Sequence, residues 1–218
     1  NKVSVNKIKR WDIFFQTIEK FNRYYTDENY QFTKIYFVSP YWNWIWSESD
    51  PMSVDNAFNL VSAGQEIRFL EGIYNWWWEL NKDKSGTYDN PILIKANSWV
   101  TINCSNTWRK SCFNLEFADY IAIDWFTLVW WKYWIRSVWW YNTEDHQKGI
   151  VMINNHWYNQ NNDPFFTGWS DWFIIENNIA HWAWSGDWHG IYLSNGWDWM
   201  IVRWNELYDN VSSDFQIN

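Results

Sequence analysis

Cysteine is scarce. Only Cys104 and Cys112 occur in 218 residues, which excludes a disulfide framework as the device that holds the fold together. One bridge across a short loop is open to them in an oxidising compartment, and two packed free thiols are the expected state. Basic residues are in deficit, with 17 Lys plus Arg against 25 Asp plus Glu and a net charge of −8. The chain therefore lacks the basic footprint of a nucleic-acid binder. No apolar run approaches the length of about 18 residues that a membrane-spanning helix needs. At the start of the chain Asp12, Gln16, Glu19 and Lys20 interrupt the apolar stretch that a secretory signal requires. No Ser/His/Asp arrangement, phosphate-binding glycine loop or dinucleotide fingerprint occurs. His156, His181 and His189 share no tight ligand spacing, so a zinc centre is not expected.

What the chain does have is apolar and, above all, aromatic. A hydrophobic share of 47% excludes wholesale disorder, and 23% of the residues are Phe, Tyr or Trp, including 24 Trp. A domain of this size cannot hide so many rings. Exposed rings in rows can stack on sugar faces, or they can simply be tolerated at the surface.

Pattern comes next. Residues 7–25 place Ile8, Trp11, Phe15, Ile18 and Phe21 at helical spacing, which predicts an amphipathic helix followed by a linker over 1–34. Ile35 to Pro40 reads as a short strand stopped by proline. Ser53 is placed to cap a short helix over 54–62 whose end is marked by Gly64. From Gln65 onward, short β-rich runs alternate with Asn, Asp, Gly and Ser. Asp171 and Asp198 lie 27 residues apart, and the same interval carries Phe173 to Met200, Ile175 to Val202, Glu176 to Arg203 and Asn178 to Asn205. Asn103, Asp124, Asn154, Glu176 and Arg203 extend the series to a repeat of roughly 22 residues with loop insertions. Such a unit cannot close its own core. Stacked in parallel it can, with Ile123, Ile153, Ile175 and Val202 as an inward column and Asn178 and Asn205 in a side-chain ladder. Asp171 and Asp198 recur in register and so are expected to serve the turns rather than chemistry.

The strand before Pro40, the helix with Ala57 and Phe58, the run Ala63-Gly64-Gln65-Glu66-Ile67 with Gly72-Ile73-Tyr74, the run Asn90 to Ala96 and the Asn-rich turns together carry a resemblance. The chain resembles the right-handed parallel β-helix proteins of the pectate-lyase-like superfamily over residues 35–218. The resemblance implies an all-β, single-stranded parallel solenoid with an N-terminal helical cap. It does not fix a function, because lyases, hydrolases, epimerases, tailspikes and adhesins share the fold. Tryptophan stands where turns of this family carry Gly, Asn or Asp, as at Trp44, Trp46, Trp197, Trp199 and Trp204. A turn that needs positive φ accepts a bulky residue poorly, so either these turns differ or the chain is altered or rebuilt. The last coil has no evident cap and is a place for self-association or a capping partner.

Function is sought on outward rows. Taking Phe113, Ile135, Phe165, Ile191 and Phe215 as equivalent puts Asn114, Arg136, Phe166, Tyr192 and Gln216 in one row, with Glu116 two positions on. A lyase acting on an acidic glycan needs a cation against the uronate carboxylate and a base for the proton α to it. Arg136 is the first candidate base, with Lys132 and Lys148 near it in sequence. Glu116, Asp124 and Asp145 are candidate Ca²⁺ ligands. Phe166, Tyr192, Trp139, Trp140 and Tyr141 are candidate substrate contacts, the last three on a loop over 138–147 that lengthens its coil. The alternative for Glu116 and Arg136 is a plain ion pair. The expected function is a secreted or cell-surface polysaccharide lyase acting by Ca²⁺-assisted β-elimination. The alternatives are a non-catalytic glycan-binding or adhesin-like β-helix and an engineered repeat scaffold.

Overall fold

Strands of two to six residues cannot form a stable sheet alone, and here each obtains its hydrogen bonds from the equivalent strand one coil away. The computed structural model describes residues 31–41, 47–75, 77–104, 111–129, 133–138, 146–160, 165–183, 189–194, 196 and 199–217. Lys34–Asn218 form one compact unit and Asn1–Thr33 another. The helix expected over 7–25 lies outside the described residues.

The lead-in strand β1 (Lys34–Val38) is followed by helix α1 (Val54–Leu60). The first coil is β2 (Gln65–Phe69), β3 (Gly72–Tyr74) and β4 (Trp78–Glu79). The second is β5 (Ile92–Ala96), β6 (Val100–Asn103) and β7 (Ser111–Asn114). The third is β8 (Ile121–Asp124), β9 (Thr127–Val129) and β10 (Tyr133–Val138). After the short β11 (Gln147–Lys148), the fourth is β12 (Val151–Ile153), β13 (His156–Gln160) and β14 (Phe165–Gly168). After β15 (Ser170–Asp171), the fifth is β16 (Phe173–Glu176), β17 (Ile179–Ala183) and β18 (Ile191–Ser194). The sixth is β19 (Met200–Arg203), β20 (Glu206–Tyr208) and β21 (Phe215–Ile217).

All pairings between these strands are parallel. The first sheet runs β1-β2-β5-β8-β12-β16-β19, the second β3-β6-β9-β13-β17-β20 and the third β4-β7-β10-β14-β18-β21, with β11 and β15 forming a separate two-stranded ribbon. The fold is therefore a parallel β-helix. Its core is a stack of inward columns. In the first sheet Ile67, Ile94, Ile123, Met152 and Ile175 are fully buried, and Val202 packs on the end. Each such aliphatic side chain contributes about 1.5–3 kcal/mol by leaving water.

The predicted 27-residue pairing of Phe173, Ile175 and Glu176 with Met200, Val202 and Arg203 is the observed register. Two details differ. Ile153 pairs with Asp124 and Glu176 and faces outward, and Met152 takes its place in the core. The slip is one residue, which in a strand exchanges faces. Asn103 pairs with Val129 on the second sheet, and Lys95 is the true neighbour of Asp124. The outward series Arg68, Lys95, Asp124, Ile153, Glu176 and Arg203 gives coils of 23 to 29 residues.

Helix α1 closes the N-terminal side of the described stack. The Ser53 hydroxyl accepts the Asn56 N–H at 3.3 Å, and Val54, Ala57 and Phe58 are buried. Phe58 stacks on Trp78 at 5.7 Å, and Phe69, Phe113 and Phe126 complete an aromatic core. The helix ends at Leu60, earlier than expected, and Gly64, at φ 76°, serves the turn into β2 instead. Cys104 and Cys112 form a disulfide, correcting the expected free thiols.

The asparagine ladder is present. Asn178 Oδ1 accepts from the Asn155 N–H at 2.9 Å and its side-chain amide at 3.1 Å. Asn205 Oδ1 does the same for Asn178, at 2.9 and 3.0 Å. The amides of Asn155, Asn178 and Asn205 donate onward to the Ile123, Met152 and Ile175 carbonyls. Buried turn groups are thereby satisfied from coil to coil.

Candidate functional site

Period-two alternation determines which side chains reach the outer face of the third sheet. Phe113, Ile135, Phe165 and Ile191 point inward and are fully buried. Their successors Asn114, Arg136, Phe166 and Tyr192, with Gln216 after Phe215, stand in register on five consecutive strands, as the sequence alignment of these positions predicts. The row is continuous from strand to strand, with Asn114 and Arg136 buried and Phe166, Tyr192 and Gln216 half-buried. The Arg136 guanidinium lies 6.0 Å from the Phe166 ring centre, and Phe166 and Tyr192 are 5.5 Å apart. His189 flanks Tyr192 at 5.3 Å and is bonded through Nδ1 to Ser213 at 2.7 Å.

Arg136 is 7% exposed and ion-paired with Glu116, which stands on the turn after β7. That turn is held in place from both sides. The Leu115 N–H donates to the Arg136 carbonyl at 2.8 Å. The buried Gln147 amide donates to the Leu115 and Ala118 carbonyls, while its oxygen accepts from the Ser137 hydroxyl at 2.8 Å. The geometry thus gives a cation with fixed orientation at the head of two aromatic rings. Such a fork matches a carboxylate, and ring faces of this kind pack against sugars.

The remaining predicted residues fall elsewhere. Lys148 lies on β11, where its backbone N–H donates to the Asp119 carboxylate at 2.7 Å and its carbonyl accepts from the Tyr120 N–H at 2.8 Å. Asp124 lies on the first sheet, ion-paired with Lys95 at 3.1 Å and accepting from the Asn154 amide at 2.8 Å. Burial pushes its carboxyl above the ordinary value, and Lys95 and Asn154 pull the other way. Glu116, on the turn after β7, and Asp124, on the first sheet, each have a cationic partner. Among the described residues no group of three or more His, Cys, Asp and Glu is arranged to hold a metal. Lys132, Trp139, Trp140, Tyr141 and Asp145 lie outside the described residues.

One cluster was missed by sequence reasoning. On the outer face of the second sheet Tyr158, His181 and Tyr208 are in register, and His181 stacks on Tyr208 at 4.5 Å. His156 and His181 face each other with their Nε2 atoms 3.0 Å apart. Burial lowers both imidazoles below 6.5. The facing His181 lowers His156 further against the pull of Glu206, while Asp209 and Glu206 oppose the shift of His181. Aligning the turn asparagines, with the 178-to-205 interval continued into β20, would have brought His181 over Tyr208. A groove of about 370 Å³ adjoins this cluster, with Trp125 and Trp204 among its walls and His156, Asn177 and Glu206 in its lining.

No protein-family profile matches the chain, and no curated protein matches it. Among solved structures, the crystal structure of pectate lyase Pel9A is similar, with a TM-score of 0.44 and 18% sequence identity. The similarity covers 78% of this chain and 51% of that one, so the chain spans about half the length of the structure it matches. The sheet topology described above makes the fold a parallel β-helix.

Proposed function

We propose that the protein is a carbohydrate-active β-helix that holds an acidic polysaccharide lengthwise along the third-sheet track. The observation that carries this reading is the in-register row Asn114, Arg136, Phe166, Tyr192 and Gln216. With a strand spacing of about 4.8 Å the row extends over roughly 19 Å, the dimension of a polymer subsite rather than of a single small ligand. Arg136 supplies charge for a uronate carboxylate, Asn114 and Gln216 supply hydrogen bonds, and Phe166 and Tyr192 supply faces for the sugar rings.

The reaction class that suits such a ligand is β-elimination. A base takes the proton α to the carboxylate, a C=C bond forms, and the β C–O bond breaks with its electron pair going to the glycosidic oxygen, which takes up a proton from water. Arginine keeps its proton, so the role of Arg136 here is to neutralise and orient the carboxylate. Lys132 and Lys148 remain the candidates for the base. Calcium is assigned no step. Parallel crossovers are almost always right-handed, which supports a right-handed coil. The Cys104–Cys112 disulfide supports a secreted or cell-surface setting.

A second reading, glycan binding without cleavage, is favoured by the track itself, whose five residues offer charge, hydrogen bonds and ring faces but no lysine. Incubation with pectate, alginate and glycosaminoglycans, following the absorbance of unsaturated uronates with binding measured in parallel, separates the two. Cleavage supports the lyase, binding without cleavage supports the second reading, and the absence of both on every substrate overturns the proposal.

A further inference from the structure

Left-handed backbone conformations are accessible to glycine without cost, to Asn and Asp at small cost, and to bulky side chains only as outliers. Eleven tryptophans have a described backbone, and seven of them lie at positive φ: Trp99, Trp125, Trp169, Trp172, Trp182, Trp199 and Trp204, between 49° and 69°. The turns therefore do need positive φ, and tryptophan stands in them.

The repeat supplies an internal comparison. The position before the first-sheet strand has positive φ at Gly64 (76°), Tyr120 (54°), Gly149 (71°), Trp172 (58°) and Trp199 (62°), with Pro91 standing there before β5. The position after the strand has positive φ at Trp125 (69°), Asn154 (57°), Asn177 (55°) and Trp204 (56°), whereas the equivalent Phe69 and Ala96 still belong to β2 and β5. On the second sheet Asn159 at 64°, Trp182 at 62° and Asp209 at 55° are equivalent. Tryptophan thus shares its columns chiefly with Gly, Asn and Asp. Several of these rings also make little use of their apolar area, with Trp99 82%, Trp204 71% and Trp125 58% exposed. Trp78 is the opposite case, buried in a strand among Phe58, Phe69 and Phe113. Composition agrees. The chain has 8 Gly and 24 Trp, where ordinary usage of about 7% would give roughly 15 Gly.

We infer that these seven positions are glycine sites of the fold, and that the codon behind them is decoded as glycine in the cell from which the gene comes. The triplet UGA is a stop in the standard code and is read as tryptophan or as glycine in variant codes. One gene written out in two such codes exchanges these two residues and no others, which accounts for the excess of one and the deficit of the other together. Glycine at 125 and 204 would remove two walls of the groove beside His156. The third-sheet track, built from Arg136, Phe166 and Tyr192, would be unchanged.

The test is the nucleotide sequence together with the peptide masses of the protein isolated from its source. UGA at the seven codons, UGG at the Trp78 codon, and glycine in the peptides covering positions 125 and 204 are expected. UGG at the seven codons, or tryptophan in those peptides, overturns the inference. Recombinant protein gives a second readout. Trp125→Gly and Trp204→Gly should each raise the melting temperature by a few degrees, whereas Trp78→Gly should lower it. A fall at both left-handed sites contradicts the claim that they are built for glycine.

Discussion

Arg136 and Glu116 are ion-paired on the outer face of the third sheet, the guanidinium almost wholly buried and the carboxylate carried by the turn after β7. Removing one partner of a buried pair leaves the other charge without compensation, which costs more than the pair contributes. Glu116→Gln is therefore expected to destabilise the protein by about 2 kcal/mol, below the roughly 3–5 kcal/mol of a fully buried pair because Glu116 keeps some solvent contact. The shift in the urea midpoint at unchanged slope measures it. A midpoint that does not move would show that the pair is solvated.

The Asn155–Asn178–Asn205 ladder makes a sharper stability prediction. Asn178→Ala deprives the Asn155 N–H and the Met152 carbonyl of their partners at once. With about 1–3 kcal/mol for each buried polar group left unsatisfied, the expected loss is about 3 kcal/mol. Asn177→Gly, at an exposed left-handed position beside it, should stay within about 0.5 kcal/mol. Equal losses for the two variants in chemical denaturation would contradict the ladder's role.

The Cys104–Cys112 bridge closes a loop with a sequence separation of 8. Cross-linking so short a segment stabilises by about 2–3 kcal/mol through the unfolded chain. Reduction with dithiothreitol, or the double substitution to serine, should lower the melting temperature by several degrees while leaving the far-ultraviolet circular dichroism unchanged.

The imidazoles of His156 and His181 are both held below 6.5 in the folded protein, mainly by burial. A group whose folded value is depressed binds fewer protons in the native state than in the unfolded one, so stability falls as the pH drops. The contribution is complete above 6.5 and declines from there toward the depressed native values. A urea midpoint that falls from pH 7 to pH 5, with a shallower fall in His181→Gln, is the expected result. An unchanged slope in that variant would place the titration elsewhere.

Much of the fold was legible because inward aliphatic residues recur at period two on every coil. Phe113, Ile135, Phe165, Ile191 and Phe215 align as expected, and with them the track that follows by one residue. Where two adjacent residues are both apolar the pattern is ambiguous. Met152 and Ile153 are such a pair, and the doublet Asn154-Asn155 beside them allows either register. Asn103 was misplaced because the asparagine that marks the repeat after β5 is Asn97, while the equivalent position one coil later is Phe126, so the polar series is interrupted there. The Lys95–Asp124 pair became visible only with the true β5–β8 register. The His156–His181 contact depends on coils of unequal length, which no fixed period reveals.

The central claim, that an acidic polysaccharide lies along the third-sheet track, is tested most directly by binding isotherms of polygalacturonate and alginate to the wild-type protein and to Arg136→Gln, Phe166→Ala and Lys95→Ala. Loss of a charged hydrogen bond or of a ring face should weaken binding about tenfold or more in the first two variants. Lys95 stands on the first sheet, and its variant should bind like the wild type. Equal affinity in all four proteins, or a loss confined to Lys95→Ala, would contradict the account.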